Sequence, residues 1–243
     1  MILGNDIDFV LIGSDSGRIV VLKYDGEKNA FEKVHQETFG KVGVIRGLPG
    51  QYIAVDPNGR AFMISTGYSP FSSVGSVEKQ NLVYVMNRDS QGHVTISSPL
   101  EAHKSQTIVF TTEGLDVSYD NPIFACLELN YGEADEDPTG EAAAQTEKVL
   151  TYYQLDLGLN HVIRKWSEAT ERTANLLAHV PGVDGPGGVL VFAENWVLYR
   201  NENHPEVRAP IPRREHLPEN RGTLIITSSL FQREVGEMGV IET

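Results

Sequence analysis

Short apolar runs, each closed by turn residues and answered by a second β-rich run, constrain this chain more than any other feature. They recur at Phe9–Tyr24 around Ser14-Asp15-Ser16-Gly17 and at Tyr52–Ser65 around Asp56-Pro57-Asn58-Gly59. They recur again at Pro122–Leu155, split by an acidic stretch, and at Gly188–Arg200 around Glu194-Asn195. Runs such as FVLIG, YIAVD, IFACLEL and VLVFA are too short for amphipathic helices and read as buried strands. The units start near residues 9, 52, 122 and 188, an irregular spacing stretched by insertions. Sheets repeating at roughly 40–50 residues per unit are the signature of propeller blades. The fold class that follows is all-β, a partial β-propeller of antiparallel blades, with function left to its loops.

The strand runs predicted in the first half are Asp8–Gly13, Arg18–Tyr24, Ala30–Phe39, Tyr52–Asp56, Arg60–Thr66, Leu82–Asn87 and His93–Ser97. In the second half they are Gln106–Thr111, Pro122–Leu129, Val149–Leu155, Leu176–Pro181, Gly188–Phe192, Trp196–Arg200 and Thr223–Ser228. Pro57 presets one backbone angle and Gly59 tolerates a positive one, so Asp56–Gly59 is a strong turn. Helix is expected to be negligible. Gly140–Lys148 and Ser167–His179 are the two stretches that read as short helices, the second being the better candidate. Thr66–Val77 is uncharged and Ser/Gly-rich, an inserted loop. Glu128–Glu147 holds seven acidic residues and no basic one, which predicts a solvated excursion between strands.

Charge and cysteine content narrow the function classes. A net charge of −13 disfavours direct contact with nucleic-acid phosphates, which basic faces provide. Cys126 is the one cysteine, so no intrachain disulfide forms, and a reducing compartment is expected. Met1–Asp8 lacks the apolar core of a signal peptide, and no apolar run approaches the roughly 20 residues of a membrane span. The reading is a soluble intracellular protein with no membrane contact.

Groups that resemble chemistry have plainer explanations. Asp15-Ser16-Gly17 looks like the context of a serine nucleophile, but lies where a hairpin turn wants Asp and Gly. Glu133, Asp135, Glu136 and Asp137 lack the alternating ligand spacing of a calcium loop. The seven histidines, His35, His93, His103, His161, His179, His204 and His216, are scattered, with no zinc-ligand spacing. No phosphate-binding glycine motif precedes a helix, and Gly182–Gly188 reads as a blade connection. Pro210-Ile211-Pro212-Arg213-Arg214 is the compact basic spot, an extended edge or an anchor for an acidic partner. Trp166 and Trp196 read as blade packing. No catalytic residue, metal site or cofactor is expected, and the chain is not read as an enzyme.

Longer segments carry a resemblance. Phe31–Gly40 (FEKVHQETFG), Pro49–Ala61 (PGQYIAVDPNGRA), Ser97–Lys104 (SSPLEAHK), Asp137–Ala144 (DPTGEAAA), Leu155–Val162 (LDLGLNHV) and Pro210–Arg214 (PIPRR) are its most distinctive parts. They resemble the N-terminal propeller of the three-propeller family that contains the large subunits of damaged-DNA-binding protein and of the cleavage and polyadenylation specificity factor. Within it they are most similar to the branch serving pre-mRNA splicing, over Asp8 to Ser228.

The resemblance implies a nuclear, non-enzymatic scaffold working through protein–protein contacts. Its implied partners are the helical-repeat, small zinc-finger and small helical subunits of the splicing factor 3b complex, with RNA contacted only indirectly. Partner contacts are implied on Glu37–Gln51, Asn87–Phe110 and Asp135–Arg172, and near Gly222, as loops of one propeller face. The candidate residues are Glu37, Lys41, Arg46, Gln51, Asn87, Arg88, Glu101, His103, Lys104, Asp135, Glu136, Asp137, Glu141, His161, Arg164 and Gly222. The alternative the wider family offers is recognition of damaged DNA or RNA, against which the net charge of −13 stands.

Two departures from the family pattern are also part of the reading. The expected organisation is a partial propeller over residues 1–229, interrupted at 66–77 and 128–147, with an unrelated tail at 230–243. The insert and tail are what unspliced or mis-joined coding sequence gives. A seven-bladed ring needs around 300 residues, at roughly 40–50 per blade. A shorter chain leaves sheet edges open and prone to association.

Overall fold

The computed structural model describes residues 9–14, 18–38, 52–65, 81–88, 93–102, 104, 106–183, 185–213, 215–216, 218 and 221–230. Ser16, the inserted loop 66–77 and the tail beyond 230 lie outside the described residues.

Among the described residues, sixteen strands form four antiparallel sheets in chain order. The first is β1 (Phe9–Gly13), β2 (Arg18–Asp25) and β3 (Ala30–Thr38). The second is β4 (Tyr52–Val55), β5 (Ala61–Ser65), β6 (Asn81–Arg88) and β7 (Val94–Ile96), with β8 (Leu100–Glu101) paired to β6. The third is β9 (Thr107–Gly114), β10 (Ile123–Asn130), β11 (Lys148–Asp156) and β12 (His161–Thr170). The fourth is β13 (Leu176–His179), β14 (Val189–Ala193), β15 (Trp196–Arg200) and β16 (Val207–Pro210). Four consecutive meander sheets are propeller blades too few to close a seven-bladed ring.

The blades hold together because successive side chains of a strand point to opposite faces, and the middle strands bury both. On β5, Ala61 and Met63 join a core with Phe124, Cys126 and Leu155 of the third sheet. The alternate residues Phe62 and Ile64 join Ile19 of the first sheet. On β10, Phe124 and Cys126 face the second sheet, while Ile123, Ala125 and Leu127 meet Val189, Val191 and Leu198 of the fourth. Each fully buried large side chain here contributes about 1.5–3 kcal/mol. Phe62 stacks on Tyr84 with centroids 5.1 Å apart, and Tyr152 tilts against Trp166 at 4.8 Å. The expected packing role holds for Trp166, whereas Trp196 is exposed at the sheet surface, with the Arg208 guanidinium 5.3 Å from its ring.

The inner strands pack closely. A β-carbon at Gly114 on β9 would collide with the Val55 carbonyl oxygen of β4, so only glycine permits this approach. Glu113 on β9 and His179 on β13 pair at 2.6 Å, and this carboxylate raises the His179 pKa.

The meander order sorts the connections to two sides. The turn side carries 56–60, 115–122, 157–160, 180–188 and 201–206, as the registers Ala61↔Val85, Asp156↔His161 and Val189↔Arg200 require. Its loops are stitched together across blades. Asn58 Nδ2 donates to the Ser118 carbonyl at 2.6 Å, Arg60 Nη1 to the Asp120 carbonyl at 2.7 Å, and Gly182 N–H to Asp116 Oδ2 at 2.7 Å. Arg60 is itself held by Asp56, through Nε at 2.8 Å and Nη2 at 2.9 Å. The insert side carries 102–106, 131–147, 171–175, 194–195 and 211–230. There Lys148 Nζ donates to the Ala174 carbonyl at 2.5 Å, and Asn175 Nδ2 to the Ile225 carbonyl at 3.0 Å.

Several sequence expectations are corrected. Ser167–His179 is not helical: it joins the end of β12 to β13. Helix is confined to single turns in the acidic insert, α1 (Gly132–Glu136) and α2 (Glu141–Gln145), the second inside Gly140–Lys148 as expected. Thr223–Ser228 makes no strand, because its backbone bonds to loop residues such as Asn195 and Asn175.

Candidate interaction surface

With both faces of the middle strands committed to packing, the loops, outer strands and rims remain for recognition. The acidic insert is one such feature. Its fold is set by Asp137, whose Oδ1 accepts from Thr139 N–H at 2.8 Å and Thr139 Oγ1 at 2.6 Å. Asp137 Oδ2 accepts from Ala142 N–H at 2.8 Å, closing the turn into α2. These donors, Ala142 first, hold its carboxyl below the usual carboxylate range. Asp137 is thus a structural residue of the insert. Glu133, Glu136, Glu141 and Glu147 are exposed, and the insert encloses an open depression of about 780 Å³ lined by Glu133, Asp137, Glu141 and Glu147. Asp135 lies in α1.

Glu128, read from sequence as the start of a solvated excursion, is instead buried. It follows Phe124 and Cys126 on the β10 face directed at the second sheet, and is only 3% exposed. Thr151 Oγ1 and Tyr153 OH each donate to its carboxylate at 2.8 Å. Burial pushes its pKa up, against the pull of those two donors and of the nearby Arg164 and Lys104 charges. The period-two pattern of IFACLEL carried this signal: positions 124, 126 and 128 share a face.

Glu128 sits behind a recess that brings together three candidates from two of the stretches. Glu101, Lys104 and Arg164 line an open hollow of about 350 Å³ with Tyr153 and Val162. Arg164 is steadied by Ser167 Oγ at 2.6 Å. Gly222 packs against Glu194, whose carboxylate a β-carbon there would overlap. Glu37 lies on β3, 3.7 Å from His35, and its charge adds to the burial that pushes Tyr84 up to about 12.

The candidates do not share one face. Asn87 is exposed near the turn-side end of β6, with Arg88 closing the strand, and His161 opens β12 on the same side. Glu101, Lys104, the insert and Gly222 lie on the opposite side. An antiparallel meander returns each strand to the other rim, so a stretch spanning two connections such as Asn87–Phe110 must reach both. Lys41, Arg46, Gln51 and His103 lie outside the described residues. In the Pro210–Arg214 spot, Arg213 folds back onto the Pro218 and Arg221 carbonyls at 2.8 and 2.9 Å. Arg214 lies outside the described residues.

The fold and this rim define a blade-built propeller segment. The family model described as RSE1/DDB1/CPSF1 first beta-propeller matches residues 2–236, and the chain belongs to that family. It is 56% identical over 241 residues to Spliceosome-associated protein 130 A of Arabidopsis thaliana, covering 99% of this chain and 19% of the relative. It is 55% identical over 230 residues to Splicing factor 3B subunit 3 of Danio rerio, covering 93% of this chain and 18% of the relative. Pre-mRNA-splicing factor RSE1 of Mycosarcoma maydis is 49% identical over 252 residues, with 99% and 20% covered. The chain spans about a fifth of the length of these curated relatives.

Proposed function

We propose that this chain is a propeller segment of a nuclear, non-catalytic scaffold that supports pre-mRNA splicing through protein–protein contacts. The names of the relatives given above, which are splicing or spliceosome-associated proteins, support the process. One structural observation carries the scaffold reading: the faces of the middle strands are spent on inter-blade packing, while the charged groups gather on loops, outer strands and rims. The partners proposed are the helical-repeat, small zinc-finger and small helical subunits of the splicing factor 3b complex. The exposed glutamates of the insert steer a basic partner surface, an attraction that weakens with salt.

The test is reversal of Glu133, Glu136 and Glu141 to Lys in a full-length family member, leaving Asp137 to hold the insert's fold. Co-purification of the three subunits should fall, most strongly at low salt where the charges are least screened, while the melting temperature stays put. Unchanged recovery at every salt concentration would leave the insert a solvated surface and remove this contact from the account.

A further inference from the structure

The turn side, opposite the insert, presents three large exposed apolar side chains on loops that hydrogen bonds tie to one another. Tyr119 is 87% exposed, Leu159 78% and Val183 63%, on three separate connections. Asn121 Oδ1 accepts from Leu157 N–H at 3.3 Å, joining the first two loops. Asp116 Oδ2 accepts from Val183 N–H at 3.4 Å, as well as from Gly182, joining the first to the third. Single exposed apolar side chains are ordinary; several on adjoining fixed loops mark an interaction site.

Between these loops opens a cleft of about 470 Å³ whose lining includes Asp116, Asp120, Asn121, Lys165 and Glu202. Its lysine is neutralised, with Lys165 Nζ 3.0 Å from Glu202 Oε2. Arg60, which reaches the Asp120 carbonyl from the neighbouring blade, is already bound by Asp56. Asp116 and Asp120 therefore leave the cleft net negative beneath an apolar rim. Pre-tied loops lose little freedom on binding, so apolar contact there is not offset by a large ordering cost. The negative floor selects for positive charge and repels both acidic peptides and nucleic acid.

We propose that this cleft and rim dock a basic segment of a partner protein, with Lys or Arg over Asp116 and Asp120 and apolar side chains against Tyr119 and Leu159. The site lies on the other side of the blades from the insert, so its test is independent of the contact proposed above for the insert glutamates.

The probe is a short fluorescein-labelled peptide of alternating lysines and leucines, titrated into the full chain by fluorescence anisotropy. The same peptide with every lysine replaced by glutamate is the control. The lysine peptide should bind and the glutamate peptide should not. Tyr119→Ser with Leu159→Ser, both at exposed tips, should weaken binding about ten-fold. Asp120→Asn should weaken it less and flatten its salt dependence. The proposal is overturned by no measurable binding, by equal binding of the glutamate peptide, or by wild-type affinity in the double variant. It is overturned equally by self-association of the chain that Tyr119→Ser abolishes, which would make the occupant a second copy.

Discussion

The third sheet and the first are built from the same kind of sequence and end in different environments. IFACLEL on β10 has a neighbouring sheet on each face, and its Phe124, Ala125, Cys126 and Leu127 are wholly buried. FVLIG on β1 has one neighbouring sheet among the described residues: Leu11 packs toward the second sheet, while Val10 and Ile12 remain exposed. Their register partners continue the contrast, for Ile19 and Val21 on β2 are buried whereas Tyr24 and its β3 partner Phe31 are not. An apolar run in this fold therefore predicts a strand, but its burial depends on how many sheets flank it.

Phe124→Ala, which opens a cavity between the second and third sheets, should have the largest effect and cost about 3–5 kcal/mol. Phe31→Ala on the first sheet should stay within about 0.5 kcal/mol. Urea unfolding of the two variants measures both, and similar losses would break the contrast. Next come two turn aspartates. Asp56, wholly buried, holds the Arg60 guanidinium that bridges to the third sheet, so Asp56→Ala should cost about 2–3 kcal/mol. Asp25 does similar local work in the β2–β3 turn, pairing with a largely exposed Lys28 rather than with another blade, and Asp25→Ala should leave the melting temperature nearly unchanged.

Glu128 gives a smaller, pH-dependent test. Burial raises its pKa, so the folded chain keeps this proton where the unfolded chain has lost it. Its contribution to stability is complete below the ordinary glutamate value and fades as pH rises through the raised one. Glu128→Gln retains an acceptor for Thr151 and Tyr153 and should match the parent in acid. It should become the more stable of the two as pH rises to neutral. Parallel stability curves for the two proteins would show that Glu128 titrates as an exposed carboxylate.

How much of this was legible in the sequence depends on position in the blade. The inner and middle strands, such as YIAV and VLVFA, announce themselves because both faces are apolar. The outer strand β12 was missed: its HVIRKWSEAT is held by backbone pairing to β11 and keeps most of its side chains in solvent. β16 was missed for the same reason, all four of its residues being exposed. Asp137 looked like one acid among several because its partners, Thr139 and Ala142, are local backbone donors that composition does not reveal. The recess of Glu101, Lys104 and Arg164 joins residues from β8, a loop and β12, a juxtaposition that exists only once the second and third sheets pack.

Native-state hydrogen exchange on this chain tests the central claim most directly, because it reads protection strand by strand. The amides of β10 and β11 should be the slowest to exchange, with β5 and β14 close behind. Those of β1–β3 should exchange well before them through local opening of the one-sided sheet. Protection of β1–β3 equal to that of β10 would contradict the claim that flanking sheets decide which strands are locked.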